Sequence, residues 1–237
     1  MAHDDYETAN LLPVGIAPED QVEDSALALL RCTCLSPELI EKLSKSGVAS
    51  KSRKVKLAIV RHSKAPRYVS LSMLRHLFTF DLMQVALTPA VAGDLKMAAE
   101  EVLMKRLENI SSGEKLSLAH RASGRVASAL LLDAEARIAA AALENARLTE
   151  ALVTKVLLRN EASPALVLAV CAHPKWSLRR EIRITLLRNR HTPARCAIEF
   201  ARSMPGDVVK EILRNSRLSP DIKASLTTSG NVSQTSP

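Results

Sequence analysis

Asn189-Arg190-His191-Thr192-Pro193 separates two apolar runs, and its residue types say how the chain passes between them. Asn tolerates the left-handed conformation that ends many helices. Thr accepts backbone N–H groups at a helix start, and Pro suits the first helical position. The stretch therefore reads as stop helix, turn, start helix. Three relatives lie in the same half of the chain: Asn145-Ala-Arg-Leu-Thr149, Asn160-Glu-Ala-Ser163-Pro164 and Asn215-Ser-Arg-Leu-Ser219-Pro220. Their opening residues Ser163, Thr192 and Ser219 are 29 and 27 residues apart, the length of a helix pair with two turns. A signal recurring at that interval predicts an all-α fold, an α-solenoid of stacked helix pairs.

Composition agrees. Apolar residues make up 47% of the 237, enough for a core, while aromatics supply only 3% and Gly only seven positions. Strands draw on aromatic and β-branched residues, whereas Ala, Leu, Arg, Lys and Glu dominate here. The net charge of +8 is uneven. Residues 1–50 sum to −6, 51–80 to +8 with no acid, 81–150 to −2 and 151–237 to +8. Such asymmetry suggests a negatively charged partner, or an acidic arm folding over its own basic body. Cys32, Cys34, Cys171 and Cys196 match neither a disulfide framework nor a zinc pattern. No secretory signal, lipidation motif or apolar run of transmembrane length is seen, so the expected location is the cytoplasm, with reduced thiols and no membrane contact.

Along the chain, residues 1–23 read as a flexible acidic arm, 24–226 as the helical repeat domain and 227–237 as a disordered tail. Short helices are expected at 24–34 and 37–45, then a loop or hinge over 44–54. From Arg53 the pattern is regular: Val55, Ala58, Ile59 and His62 fall on one face. A longer helix over 94–108 aligns Leu95, Ala98, Ala99, Val102 and Leu103. Further helices are expected near 113–121, 123–132, 134–144, 150–159, 164–172, 177–188, 193–202, 205–214 and 220–226.

The segment Val55-Lys-Leu-Ala58-Ile-Val-Arg61-His62-Ser-Lys-Ala-Pro66 resembles the leucine-rich-repeat variant, a relative of the HEAT-like bacterial α-solenoids. Cys171-Ala-His173-Pro174 and Leu187-Arg188-Asn189-Arg-His-Thr-Pro193 echo it, and the resemblance spans about residues 53–226. It implies a right-handed, HEAT-like helix-pair superhelix used for binding, and no particular ligand. Some relatives carry an iron–sulfur module beside the repeats. The four clustered thiolates it needs are absent from this chain, so no cofactor is expected.

Two basic groupings stand out as candidate binding surfaces. Trp176, Arg179, Arg180 and Arg183 are expected on one flank of the helix over 177–188, with Leu178, Ile182 and Leu186 on its buried side and Arg188, Arg190 and Arg195 following. Guanidinium groups beside an indole suit phosphates and stacking. The plain alternative is a solvated face with Trp176 filling a gap between helices. The second grouping is the acid-free block Lys51, Arg53, Lys54, Lys56, Arg61, Lys64, Arg67 and Arg75, of which Lys54, Arg61 and Arg67 are the candidates for contact. Its plain alternative is ordinary helix solvation.

His62, His173 and His191 sit at or after helix ends at equivalent repeat positions. Stacking keeps such positions roughly 10 Å apart, so capping suits them better than metal binding. Cys171 and Cys196, 25 residues apart, are expected as near neighbours in the core. Hydrolase, zincin, Walker and dinucleotide-turn motifs are all missing. Helical-repeat DNA glycosylases are basic solenoids of similar length, but they hold damaged bases with several aromatics and a catalytic Asp that find no counterpart here. The expected function is a non-catalytic scaffold for a protein partner with an acidic surface, with sequence-nonspecific nucleic-acid binding as the alternative.

Overall fold

The computed structural model describes residues 18–231, and every regular element among them is a helix. In order they are α1 (Pro18–Arg31), α2 (Pro37–Ser44), α3 (Gly47–Lys51), α4 (Arg53–Arg61), α5 (Arg67–Leu74), α6 (Thr79–Leu87), α7 (Gly93–Arg106) and α8 (Ser112–Arg121). They continue as α9 (Gly124–Leu130), α10 (Ala136–Leu143), α11 (Glu150–Leu157), α12 (Pro164–Ala172), α13 (Arg180–Arg188), α14 (Ala194–Arg202), α15 (Gly206–Arg214) and α16 (Pro220–Asn231). Thirteen of these sixteen are ten residues or shorter, a length that is not stable alone in water. Burial against neighbours must therefore hold them.

The neighbours are close in the chain. Helices α5, α7, α9, α11, α13 and α15 each pack on the next of that series. A second set of contacts links α2, α4 and α6, then α8, α10 and α12, then α14 and α16. Pairs such as α4 with α5, α6 with α7, α8 with α9 and α13 with α14 join the two series. The apolar periodicity supplies the shared core. In α15, Val209, Ile212 and Leu213 are buried at i, i+3 and i+4, and α7 buries Leu95, Ala99 and Leu103 at i, i+4 and i+8, each set on one helix face.

Caps set many of the starts. Ser36, Ser46, Ser52, Ser111, Ser123, Thr149 and Ser163 each accept a backbone N–H from the first turn that follows. The caps from Ser46 and Ser52 turn most of the expected 44–54 loop into α3 and the head of α4. Thr192 departs from the pattern. Its hydroxyl donates to the Leu186 carbonyl at 2.6 Å, and Pro193 takes the N-cap position of α14 without a side-chain cap.

The phrase asparagines also act differently from expectation. Asn189 has φ −87° and Asn215 φ −103°, so neither is left-handed. Asn145 Nδ2 instead donates to the carbonyls of Ala119 at 2.7 Å and Ala122 at 3.2 Å, at the end of α8, one helix pair back. Its Oδ1 accepts the Arg147 N–H at 2.8 Å, which folds the turn. Asn189 repeats the arrangement, with Nδ2 on the Leu157 carbonyl at 3.0 Å and Oδ1 on the His191 N–H at 2.9 Å. Ser216 donates to the Leu187 carbonyl at 2.6 Å and accepts the Leu218 N–H at 3.1 Å. His62 belongs to the same set: Nδ1 accepts the Lys64 N–H at 3.1 Å, so Nε2 carries the proton and faces the Cys32 carbonyl at 3.2 Å. His173 accepts the Lys175 N–H through Nδ1 at 3.1 Å, with Nε2 3.2 Å from Glu144 Oε1. At the turns after α4, α10, α13 and α15, one side chain thus folds its own turn and reaches a carbonyl at the end of an earlier helix.

Both domain boundaries and the state of one cysteine pair differ from the sequence expectation. Residues 18–23, assigned to the arm, open α1, whose Ala26 and Leu30 are buried; residues 1–17 lie outside the described part. Residues 227–231, assigned to the tail, complete α16, and 232–237 lie outside the described part. Cys32 and Cys34, expected as thiols, are disulfide-bonded in the exposed turn after α1.

Candidate functional site

The acid-free block 51–80 loses much of its charge surplus once folded. Arg53 holds Asp81 through two bonds, Nε–Oδ2 at 2.7 Å and Nη2–Oδ1 at 2.8 Å, and its guanidinium lies 5.1 Å from the Phe78 ring centroid. Lys54 reaches Glu23 Oε1 at 3.1 Å, and Arg67 pairs with Asp94. The carboxylates come from α1, α6 and α7, outside the block in sequence but beside it in space. The depression lined by Lys51, Arg53 and Lys54 is therefore also lined by Glu23 and Asp81. Of the three candidates from this block, Arg61 is exposed at the end of α4, while Lys54 and Arg67 are committed to acids of this chain.

The grouping around Trp176 does not form one face. Trp176 lies in the turn before α13 rather than on the helix, and it is 1% exposed. Its Nε1 donates to the Leu143 carbonyl at 2.9 Å, the end of α10. The indole is a core plug with its one polar atom satisfied, so it is not a recognition residue. Lys175 covers the ring, Nζ 4.0 Å from its centroid. Leu178, expected inside, is 69% exposed because the helical periodicity starts only at Arg180; Ile182 and Leu186 are buried as expected. Arg183 is half-buried, donating from Nε to the Ser177 carbonyl at 2.6 Å with its guanidinium 5.5 Å from the Phe200 centroid. Arg179 and Arg180 remain exposed.

A better site forms where three successive turns meet. The C-terminal ends of α11, α13 and α15 border one groove of about 180 Å³. The first turn contributes Arg159 and Asn160, the second Arg188, Asn189, Arg190 and His191, and the third Asn215 and Arg217. Leu157, Leu158, Ala162 and Thr185 complete the wall. Arg217 Nη1 donates to Asn160 Oδ1 at 3.1 Å, so the third turn reaches across to the first. Arg190 Nε donates to His191 Nε2 at 2.9 Å. Four guanidinium groups share this groove, and no carboxylate among the described residues lines it. Glu161, at the rim, meets Arg159 at 3.3 Å in an exposed pair that water screens.

Helix C-termini carry partial negative charge, which would ordinarily work against an anion here. That charge is offset locally. Asn189 Nδ2 binds the Leu157 carbonyl, Ser216 Oγ the Leu187 carbonyl, and the Arg217 N–H the Arg188 carbonyl at 3.0 Å. Three carbonyls at these helix ends are thus engaged, which lessens their opposition to an anion.

Arg188 and Arg190 are marked in the sequence as candidates, whereas Arg159, Asn160, Asn189, Asn215 and Arg217 are not. Their signal is the phrase itself. Each Asn has an Arg within two positions: Arg159-Asn160, Arg188-Asn189-Arg190 and Asn215-Ser-Arg217. The packing of α11 on α13 and of α13 on α15 brings those arginines to one groove.

Other chemistry is sparse. Among the described residues no group of three or more His, Cys, Asp or Glu side chains could hold a metal ion. Burial, with Cys196 beside it, pushes the Cys171 thiol up to about 12, so it stays protonated near neutrality. No described helix is long and apolar enough to cross a membrane. No protein-family model, curated protein or solved structure matches this chain.

Proposed function

We propose that the chain is a non-catalytic α-solenoid of HEAT-like helix pairs, related to the leucine-rich-repeat variants, that binds a protein partner through an acidic segment. The groove of Arg159, Arg188, Arg190 and Arg217 carries this reading, because its positive charge is not met by acids lining it. The contact pattern supports the solenoid, the helices from α5 onward packing chiefly on neighbours one or two places away. Side-chain bonds from one turn to the preceding helix pair supply a repeat-to-repeat link of the kind such a stack requires.

A nucleic-acid ligand is the second reading, favoured by the overall charge of +8. Fluorescence anisotropy separates the two. A labelled acidic decapeptide and a labelled random duplex are titrated at low and raised salt, with the wild type and an Arg188→Ser/Arg190→Ser variant. Binding of the peptide that is lost in the variant is the expected result. Duplex binding with a steep salt slope, and no peptide binding, overturns the protein-partner reading.

A further inference from the structure

The groove at the ends of α11, α13 and α15 has features beyond a general preference for negative charge. Four arginines from three turns project around a volume of about 180 Å³, below the roughly 300–1,000 Å³ of pockets for drug-sized ligands. That volume suits one compact group held among the four guanidinium groups. Discounting the pair between Arg159 and Glu161 leaves Arg188, Arg190 and Arg217 as a surplus of about three positive charges, with no carboxylate on the wall. A side-chain carboxylate brings one negative charge, and one guanidinium fork is enough to hold it. A phosphoryl group brings about −1.5 to −2 near neutrality and three acceptor oxygens, so it can use several forks together.

The remaining lining fits the same ligand. Asn160 Oδ1 accepts from Arg217 Nη1 and so restrains that guanidinium at the groove. The Asn189 side chain is committed at both ends, to the Leu157 carbonyl and the His191 N–H, which fixes the turn carrying Arg188 and Arg190. A site whose cations are mounted on hydrogen-bonded turns loses less conformational entropy on binding. Leu158, on the wall and 59% exposed, offers an apolar contact directly beside the cations.

Resting on the protein-partner reading above, we propose that this groove is a receptor for a phosphorylated side chain on an extended segment of the partner, with an apolar residue of that segment against Leu158. Arg188, Arg190 and Arg217 bind the phosphoryl oxygens. Asn160 and Asn189 are positioning residues.

The test uses the full chain and a degenerate undecapeptide library with a fixed central residue, prepared in three forms: serine, glutamate and phosphoserine. The degenerate flanks remove dependence on a chosen sequence. Phosphoserine peptides should be retained at least ten-fold more strongly than either other form, and inorganic phosphate should compete. Arg188→Ser/Arg190→Ser should abolish the difference, and Arg188→Lys/Arg190→Lys should restore only part of it, because lysine lacks the fork. Leu158→Ser should remove the enrichment for apolar residues in the retained flanks while phosphoserine is still preferred. Circular dichroism and the emission of buried Trp176 report whether each variant is folded. Equal retention of glutamate and phosphoserine forms overturns the phosphoryl proposal but leaves the acidic-partner reading intact. Retention of no peptide, with a random duplex bound through the same arginines, overturns both.

Discussion

Asn145 gives the sharpest test of how the helix pairs are joined. It is 1% exposed and makes three hydrogen bonds, two to carbonyls of the preceding pair and one to its own turn. At a net value of about 1 kcal/mol each, Asn145→Ala should cost about 3 kcal/mol, and more where a carbonyl stays buried without a donor. For a chain of this size, about 2–4 °C is lost per kcal/mol, so the melting temperature should fall by about 6–12 °C. Asn145→Asp separates the two roles. It has nearly the same shape and still accepts the Arg147 N–H, but it replaces the NH₂ donor with an oxygen facing the Ala119 and Ala122 carbonyls. If the link between pairs is the larger part, Asp should destabilise at least as much as Ala near pH 7. Circular dichroism melting of the three proteins measures this directly. An Asp variant melting within about 2 °C of wild type would show that the turn matters and the inter-pair bonds do not.

Trp176→Ala should destabilise by roughly 3–5 kcal/mol and Trp176→Phe by less, since Phe keeps most of the packing and loses the bond to Leu143; denaturant titration gives both values. Gly124→Ala should cost about 1–3 kcal/mol, because its Cβ would stand 2.3 Å from the Arg147 backbone oxygen, which cannot swing aside as a side chain can; the melting temperature reports it. Raising a thiol pKa from 9.0 to about 12 stabilises the protonated folded form less and less relative to the unfolded thiolate as pH rises. Folded stability should therefore decline from about pH 9 towards 12, a slope that Cys171→Ala should reduce, and native Cys171 should resist a thiol reagent at pH 8 that labels it in denaturant.

The fold was far more legible in sequence than the site, and particular residues show why. Helix starts depend on local chemistry, so Ser163 is recognisable as a cap from its own neighbours. Asn189 was recognised as a stop, yet its Nδ2 partner is 32 residues away and no local pattern names it. The same distance effect hides charge compensation. Asp81 neutralises Arg53 across 28 residues, so an acid-free run of sequence became a salt-bridged surface. Trp176 was open to two readings, recognition residue or gap filler, and it is Leu178 that departs: α13 begins at Arg180 and not at 177, which leaves Leu178 in water beside a buried indole.

Side chains that tie a turn to an earlier helix, as Asn189 and Ser216 do, hold those turns in register. Any residue beside the linking side chain then recurs on the same edge of the stack. Arg188 with Arg190, and Arg217, occupy such places beside Asn189 and Ser216, and Arg159 stands beside Asn160, which Arg217 reaches. Their charges would repel one another in an isolated site, and the stack overcomes that repulsion with apolar burial and with bonds such as Ser216 to Leu187 at 2.6 Å. The groove therefore holds like charges together before any ligand arrives. An anion entering it relieves that repulsion, so binding should tighten the stack around α11, α13 and α15 while the pairs near α4 and α6, whose Arg53 already has Asp81, stay as they are.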